Sequence, residues 1–340
     1  GSRSALFVPL PDLGLIVMDE CDNSSYDESE RPPLYHAVPT AEALAVISQA
    51  KLLLGSATPG VEQYFKAQRG DWRLLEMPRR VLAHRLTLQN QALSLKFNLP
   101  ELTSADDLLT FDLPKVQVVD MRKELTSGNS SVLSRSLESK LEKVLAKNQQ
   151  AILFLNRRGQ ATYVFCRHCG HSLRCPNDDQ PLTWHGSQQG LLCHLCGYTR
   201  KLPVKCPNCG SNQIRQLGLG TQKLEELVKI RFPEARILRW DADTTKNKDD
   251  HELILSHFSA HRADILIGTQ MLAKGLDLPL VTLVGIVLAE VGLNLPDYRA
   301  AERSFQVLTQ VSGRAGRSPL GGEVVLQTYQ PENYVIQAAS

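Results

Sequence analysis

No apolar run in this sequence approaches the roughly 20 residues needed to cross a bilayer, and no signal-peptide pattern opens it. We therefore expect a soluble, cytoplasmic chain with no membrane partner. Charge of one sign is equally scarce. The 38 Lys and Arg against 36 Asp and Glu leave a formal +2, so any nucleic-acid surface must come from local clustering. Cysteine is almost confined to one stretch. Seven of the eight fall from Cys166 to Cys209, mostly as C-x-x-C pairs, a pattern that in a reducing compartment means metal rather than disulfide. No G-x-x-x-x-G-K-[ST] phosphate loop occurs. What is present, 340 residues with 42% apolar, suffices for about two domains with substantial cores.

Short apolar runs with polar or glycine punctuation predict strands at 13–18, 52–54, 151–155, 236–240, 264–267, 281–287 and 323–327. Helical spacing predicts helices at 41–49, 134–147, 223–231, 251–258 and 300–311. Strands alternating with helices argue for an α/β fold whose parallel sheets are covered on both faces. The cysteine-rich stretch breaks that rhythm and reads as an insertion with its own fold. The expected plan is the C-terminal part of one lobe at 1–80, a connector at 81–115, and the start of a second lobe at 116–165. The cysteine module follows at 166–210 and the rest of the second lobe at 211–340. The first lobe, whose first strand leads straight into an acidic motif, is expected to be incomplete.

Leu15-Ile16-Val17-Met18-Asp19-Glu20 is an apolar strand ending in paired acids. At the carboxyl end of a parallel strand, one carboxylate can hold Mg²⁺ on a nucleotide and the other can orient water. A solvated acidic turn is the competing reading. Gly55-Ser56-Ala57-Thr58-Pro59 also follows a strand, and Ser56 and Thr58 offer hydroxyls to neighbouring loops. In the second lobe, Gly268, Thr269, Gln270 and Lys274 combine glycine, hydroxyl, amide and cation in one stretch suited to phosphates. Gln310 begins a segment in which Arg314 and Arg317 stand three apart, and a guanidinium fork suits charge on a transferring phosphoryl group. Helix-dipole compensation is the bland alternative.

Cys166, Cys169, Cys206 and Cys209 have the spacing of a structural tetrathiolate zinc site. Cys175, Cys193 and Cys196 form a second set lacking one cysteine, with Asp178, Asp179 or His185 as fourth ligand. Imidazole suits zinc better than a harder carboxylate, which favours His185. Arg167, His168, Arg174, Trp184, His185, His194, Tyr198, Arg200, Lys201 and Lys205 interleave cations and aromatics on the module, a surface suited to phosphates and unpaired bases or simply a solvated face. Cys21, outside the cluster, reads as a near-buried thiol.

With these residues assembled, the chain resembles, along essentially its whole length, the PriA family of primosomal replication-restart DNA helicases in superfamily 2. The motifs named above fall in family order. Phe154-Leu155-Asn156-Arg157-Arg158-Gly159, Gly218-Leu219-Gly220-Thr221-Gln222 and Asp241-Ala242-Asp243-Thr244-Thr245 join them, and the nested cysteine pairs are what set this family apart. The resemblance implies an ATP-driven 3′ to 5′ helicase with two RecA-like lobes sandwiching ATP, and two zinc ions in a module that helps open duplex. It implies Mg²⁺ on Asp19, water activation by Glu20, phosphate contact by Arg314 and Arg317, and coupling of DNA to nucleotide through Gly268, Thr269, Gln270 and Lys274. It implies that the outer cysteine pairs share one zinc and the inner pairs the other. Its expected partners are stalled forks and single-stranded DNA, other primosome proteins and single-strand-binding protein, in the nucleoid region of the cytoplasm. The chain departs from the family where Cys21 and Asp22 fill the last two places of an Asp-Glu-Glu-His box, and where Asp178 replaces a cysteine ligand. The family's phosphate loop is expected upstream of Gly1. Two rival readings are a non-catalytic scaffold that recruits primosome proteins and a zinc-ribbon factor of transcription or RNA processing.

Overall fold

The structure, a computed structural model, describes residues 3–28, 32–77, 81–84, 92–93, 108–110, 113–156, 162–185, 190–216, 219–245, 247–273, 278–295, 297–315 and 320–340. The chain divides into two compact units, Gly1–Glu76 and Met77–Ser340. Most of the expected connector lies outside the described residues. Within it, Val81–His84 pairs antiparallel with Leu108–Thr110.

In the first unit, β1 (Leu15–Met18) crosses through α1 (Ala37–Ser48) to a parallel β2 (Lys51–Leu54), with Ile16 opposite Leu52 and Met18 opposite Leu54. The helix starts where the His36 ring nitrogen accepts the Val38 N–H at 3.3 Å and stops at Gln49, in the left-handed region at φ 54°. Its Ala37, Val38, Ala41 and Ala45 bury against Ile16, Met18 and Cys21. The small alanines let helix and strands approach closely. An eight-residue helix, α2 (Val61–Gln68), was not among those predicted.

The second unit runs β3 (Lys115–Asp120), α3 (Arg135–Ala146) and β4 (Gln150–Leu155), then five short strands: β5 (Thr162–Cys166), β6 (Thr183–His185), β7 (Gly190–Leu192), β8 (Thr199–Arg200) and β9 (Ile214–Gln216). It continues with α4 (Thr221–Arg231), β10 (Ile237–Trp240), α5 (Lys248–Ser259), β11 (Ile265–Gly268), β12 (Val281–Val287), α6 (Ala300–Ala315) and β13 (Glu323–Thr328). Six strands form one parallel sheet in the order β10-β11-β4-β12-β13-β3. β4, β11 and β12 are buried at every position, as expected of strands with helices on both faces. One face packs Ile152, Leu266, Val284 and Val324 against Leu308 and Val311 of α6. The other packs Leu153, Ile267 and Val325 against Leu137 and Leu141 of α3 and Leu224 of α4.

Two devices fix α3 on its face. Ser134 caps the helix by accepting the Leu137 N–H at 3.2 Å, while its own N–H donates to the buried Gln327 side chain of β13 at 2.7 Å. Gly285 of β12 leaves room for the helix, since a Cβ there would stand 2.7 Å from Leu153 and 2.8 Å from Leu137. β3 was not anticipated. It alternates Lys115 and Gln117 with Val116 and Val118 and takes the edge of the sheet, where a continuous apolar run is not needed.

The five short strands make an antiparallel sheet, ordered β8-β7-β6-β5-β9, over a small core of Val164, Leu173, Leu182, Leu191 and Ile214. It spans Thr162 to Gln216, beyond the expected 166–210 on both sides. Among the described residues, no helix is long and apolar enough to cross a membrane. Replacing Gly285 by Ala overpacks the α3 face, and chemical denaturation should report a loss of about 1–3 kcal/mol.

Candidate metal centres and nucleotide-motif edge

The β1–β2 ladder continues into the loops that follow. The Gly55 N–H donates to the Met18 carbonyl at 2.8 Å, and the Cys21 N–H donates to the Gly55 carbonyl at 3.0 Å. This lock sets the acidic turn against the hydroxyl loop, and Asp22 joins them. Its Oδ1 accepts the Ser56 hydroxyl at 2.5 Å and its Oδ2 the Thr58 hydroxyl at 2.8 Å. The Thr58 N–H in turn donates to Ser56 Oγ at 2.9 Å. Asp19 is exposed at the strand end, with Oδ1 accepting the Glu20 N–H at 2.9 Å. Glu20 holds φ 49°, a left-handed conformation that costs a residue bearing a Cβ about 1–3 kcal/mol. Cys21 is buried as expected. That burial, reinforced by Asp22, pushes its thiol up to about 11 and keeps it protonated.

In the second unit, the carboxyl ends of the parallel strands carry the polar residues: Asn156 after β4, Asp241 after β10, Thr269 and Gln270 after β11, and Glu290 after β12. Ligands of open α/β sheets bind at this edge. Asp241 gathers the Thr221 hydroxyl on Oδ2 and the N–H groups of Asp243 and Thr244 on Oδ1, at 3.0 and 2.9 Å. Burial opposes its charge, but Thr221, Thr244 and Arg239 outweigh burial and hold the carboxyl below the usual carboxylate range. Gly268 is buried, and Thr269, Gln270 and Gln310 are half-buried. Arg314 is 5% exposed near the end of α6, which runs four residues beyond the helix expected at 300–311. Lys274 and Arg317 lie outside the described residues.

The cysteines converge on two clusters, in each of which the candidate ligand atoms all lie within 4.8 Å of one another. In the first, Cys166 and Cys209 sulfurs are 3.7 Å apart and those of Cys169 and Cys206 3.8 Å. Tetrahedral zinc with Zn–S of about 2.3 Å requires sulfurs about 3.8 Å apart, and a disulfide requires about 2.05 Å. The spacing is that of a metal site. In the second, the Cys175 and Cys196 sulfurs are 3.4 Å apart, and Cys193 Sγ lies 3.2 Å from Asp178 Oδ2.

Of the two fourth-ligand candidates, Asp178 is the one grouped with Cys175, Cys193 and Cys196, while His185 Nε2 faces that of His194 at 3.1 Å. The reason is backbone shape. In three knuckles the N–H of the glycine after the second cysteine returns to the carbonyl of the first, as Gly170 to Cys166, Gly197 to Cys193 and Gly210 to Cys206, each glycine at φ 70–75°. The fourth repeats the pattern with Asp179, at φ 56°, donating to the Cys175 carbonyl, so Asp178 occupies the place of a ligating cysteine. Asn177 and Asn208 complete the likeness by donating to Cys196 and Cys169 sulfurs at 3.5 and 3.7 Å. The parallel between Cys175-Pro176-Asn177-Asp178-Asp179 and Cys206-Pro207-Asn208-Cys209-Gly210 agrees with the sequence reading in which Asp178 stands where a cysteine ligand is expected.

Residues 211–319 match the model of the helicase conserved C-terminal domain. The replication restart protein PriA of Bacillus subtilis is 46% identical over 337 residues, covering 99% of this chain and 38% of that protein. The chain matches the PriA family along its length. The Treponema pallidum PriA is 39% identical, covering 100% of this chain and 46% of that protein. The chain thus spans less than half the length of these curated PriA relatives. Saccharomyces cerevisiae Dbp5 bound to RNA and ADP BeF3 aligns with 99% of this chain and 60% of its own at 14% identity, with a TM-score of 0.45. The fold is α/β, with a six-stranded parallel sheet in the unit that carries the helicase C-terminal match, and with an inserted module whose two cysteine-rich groups fit zinc.

The contacts of Asp22 with Ser56 and Thr58 and of Glu290 with Tyr329 were not foreseen, because each joins residues far apart in sequence. Asp178→Ala is expected to leave one tightly held zinc per chain where the wild type holds two. Asp178→Cys should keep both and release the second to a chelator more slowly than wild type, as elemental analysis and a colorimetric chelator would record.

Proposed function

We propose that this chain is the motor portion of an ATP-dependent DNA helicase of replication restart, moving 3′ to 5′. The observation that carries this reading is the Asp22 junction. It ties the acidic turn to Ser56 and Thr58 at the paired tips of two parallel strands, in a chain similar to PriA throughout. Asp19, exposed at the strand end, would hold Mg²⁺ on ATP, and Glu20 would orient the attacking water. Arg314 and Arg317 would meet the phosphates from the second lobe, and a planar fork suits charge spread over phosphoryl oxygens. Gly268, Thr269, Gln270, Lys274 and Gln310 would link bound DNA to nucleotide state.

The two zinc ions would hold a loop-rich module whose small core is insufficient alone. Its cations and aromatics would receive single-stranded DNA at stalled forks, and its surface other primosome proteins and single-strand-binding protein. A cytoplasmic, nucleoid-associated place suits such partners. Lacking a G-x-x-x-x-G-K-[ST] loop, the chain alone is expected not to hydrolyse ATP. The scaffold alternative drew on Asp22 standing in place of histidine; its two hydroxyl partners give it a part in the motif and favour the motor.

In the full-length protein, Glu20→Gln should lower DNA-stimulated kcat by at least about 100-fold while retaining ATP binding. Unchanged turnover in that variant would remove Glu20 from the chemistry, whereas absence of DNA-stimulated turnover in the wild-type full-length protein would support the scaffold.

A further inference from the structure

The first metal cluster is not free-standing. Arg167, between Cys166 and Cys169, donates from Nε to the Tyr329 hydroxyl at 2.9 Å, and its guanidinium carbon lies 5.7 Å from the centre of that ring. Gly170 of the same knuckle sits at φ 75°, and a Cβ there would stand 2.2 Å from the Tyr329 carbonyl oxygen. Only glycine permits this seat. Gln330 donates from Nε2 to the Gly170 carbonyl at 3.0 Å, and the Phe165 and Tyr329 rings are 4.9 Å apart. One knuckle therefore grips two residues just past β13 from four sides.

Tyr329 faces inward as well. Its N–H donates to Oε1 of Glu290 at 3.3 Å. Glu290 is fully buried, and its Oε2 has no hydrogen-bond partner among the described residues. A buried carboxyl held by Thr328 and the Tyr329 N–H depends on those neighbours staying in place. It lies in the turn Ala289–Asn294, which is pinned by the Asn294 side chain donating to the Glu290 carbonyl at 2.8 Å and leads toward α6. The bonds of the second cluster run within the module instead, as from Asn177 to Cys196 and from Arg174 to Asp179.

We propose that Tyr329 is a positioning residue through which metal occupancy of the Cys166, Cys169, Cys206 and Cys209 cluster stabilises the carboxyl edge of the parallel sheet. With the ion bound, the knuckle is rigid and holds Tyr329, which holds Glu290 and its turn. With the ion gone, Arg167 and Gly170 lose their fixed geometry and the turn loosens. Linkage is reciprocal, so Tyr329 must also tighten binding of that ion, and of that ion alone. The inference rests on the metal reading of the first cluster and not on helicase activity.

The test uses zinc release to a chelator and amide hydrogen exchange on this chain. In chelator competition, Tyr329→Phe, which keeps the ring and removes the hydroxyl, and Gly170→Ala, which introduces the clash, should each release one of two zincs more readily, its affinity lowered on the order of tenfold for the stronger variant, and leave the other unchanged. Exchange across 289–294 and 328–330 should rise when both ions are stripped from wild type but not in Asp178→Ala, which lacks only the second. Equal release in wild type and both variants overturns the linkage while leaving two metal sites intact. So does exchange in Asp178→Ala that matches the stripped protein. Absence of zinc from purified wild type overturns the metal reading together with the linkage.

Discussion

Mutual repulsion among four clustered thiolates, relieved by a divalent cation, is the constraint on which the inserted module depends. Two unit charges at the 3.7 Å separation of Cys166 and Cys209 repel by about 1 kcal/mol even in water, and severalfold more at protein-like screening. An ion at the centre would turn that cost into a cross-link between segments some forty residues apart. It does so where the apolar core is small, so metal contributes what packing does not. Four knuckles of common backbone form set the ligands, and the loss of one cysteine is accommodated because Asp178 enters the same geometry.

The module's place follows from the parallel sheet. A sheet sealed on both faces leaves its carboxyl edge as the open side, and Asn156, Asp241, Gln270 and Glu290 stand there together. The Cys166 knuckle is seated on Tyr329 and Gln330, just beyond the last residue of β13 at that edge. Metal site and motif edge thereby share one rim of the second unit. The first unit repeats the principle on two strands, where Asp22 draws the hydroxyls of Ser56 and Thr58 to the acidic turn.

Features governed by local pattern were legible in the sequence. The continuous apolar runs of β4, β11 and β12 announced a sheet buried on both sides, and the cysteine spacing announced the clusters. β3 was missed because an edge strand alternates like many irregular segments. Asp178 was within reach, but weighing ligand chemistry ahead of the knuckle repeat promoted His185, which the backbone turns toward His194. The contacts of Asp22, Glu290 and Tyr329 were out of reach. Asp22 meets Ser56 and Thr58 only after a crossover through α1, and nothing local marks a glutamate as fully buried.

Seven sulfurs and one carboxylate are the proposed metal ligands. X-ray absorption at the zinc edge of the purified chain measures this directly. It should show about two zincs per chain, with sulfur neighbours near 2.3 Å and a minor oxygen contribution near 2.0–2.2 Å. A spectrum with imidazole scattering in place of oxygen would return His185 to the second site, and a chain free of zinc would contradict the account at its base.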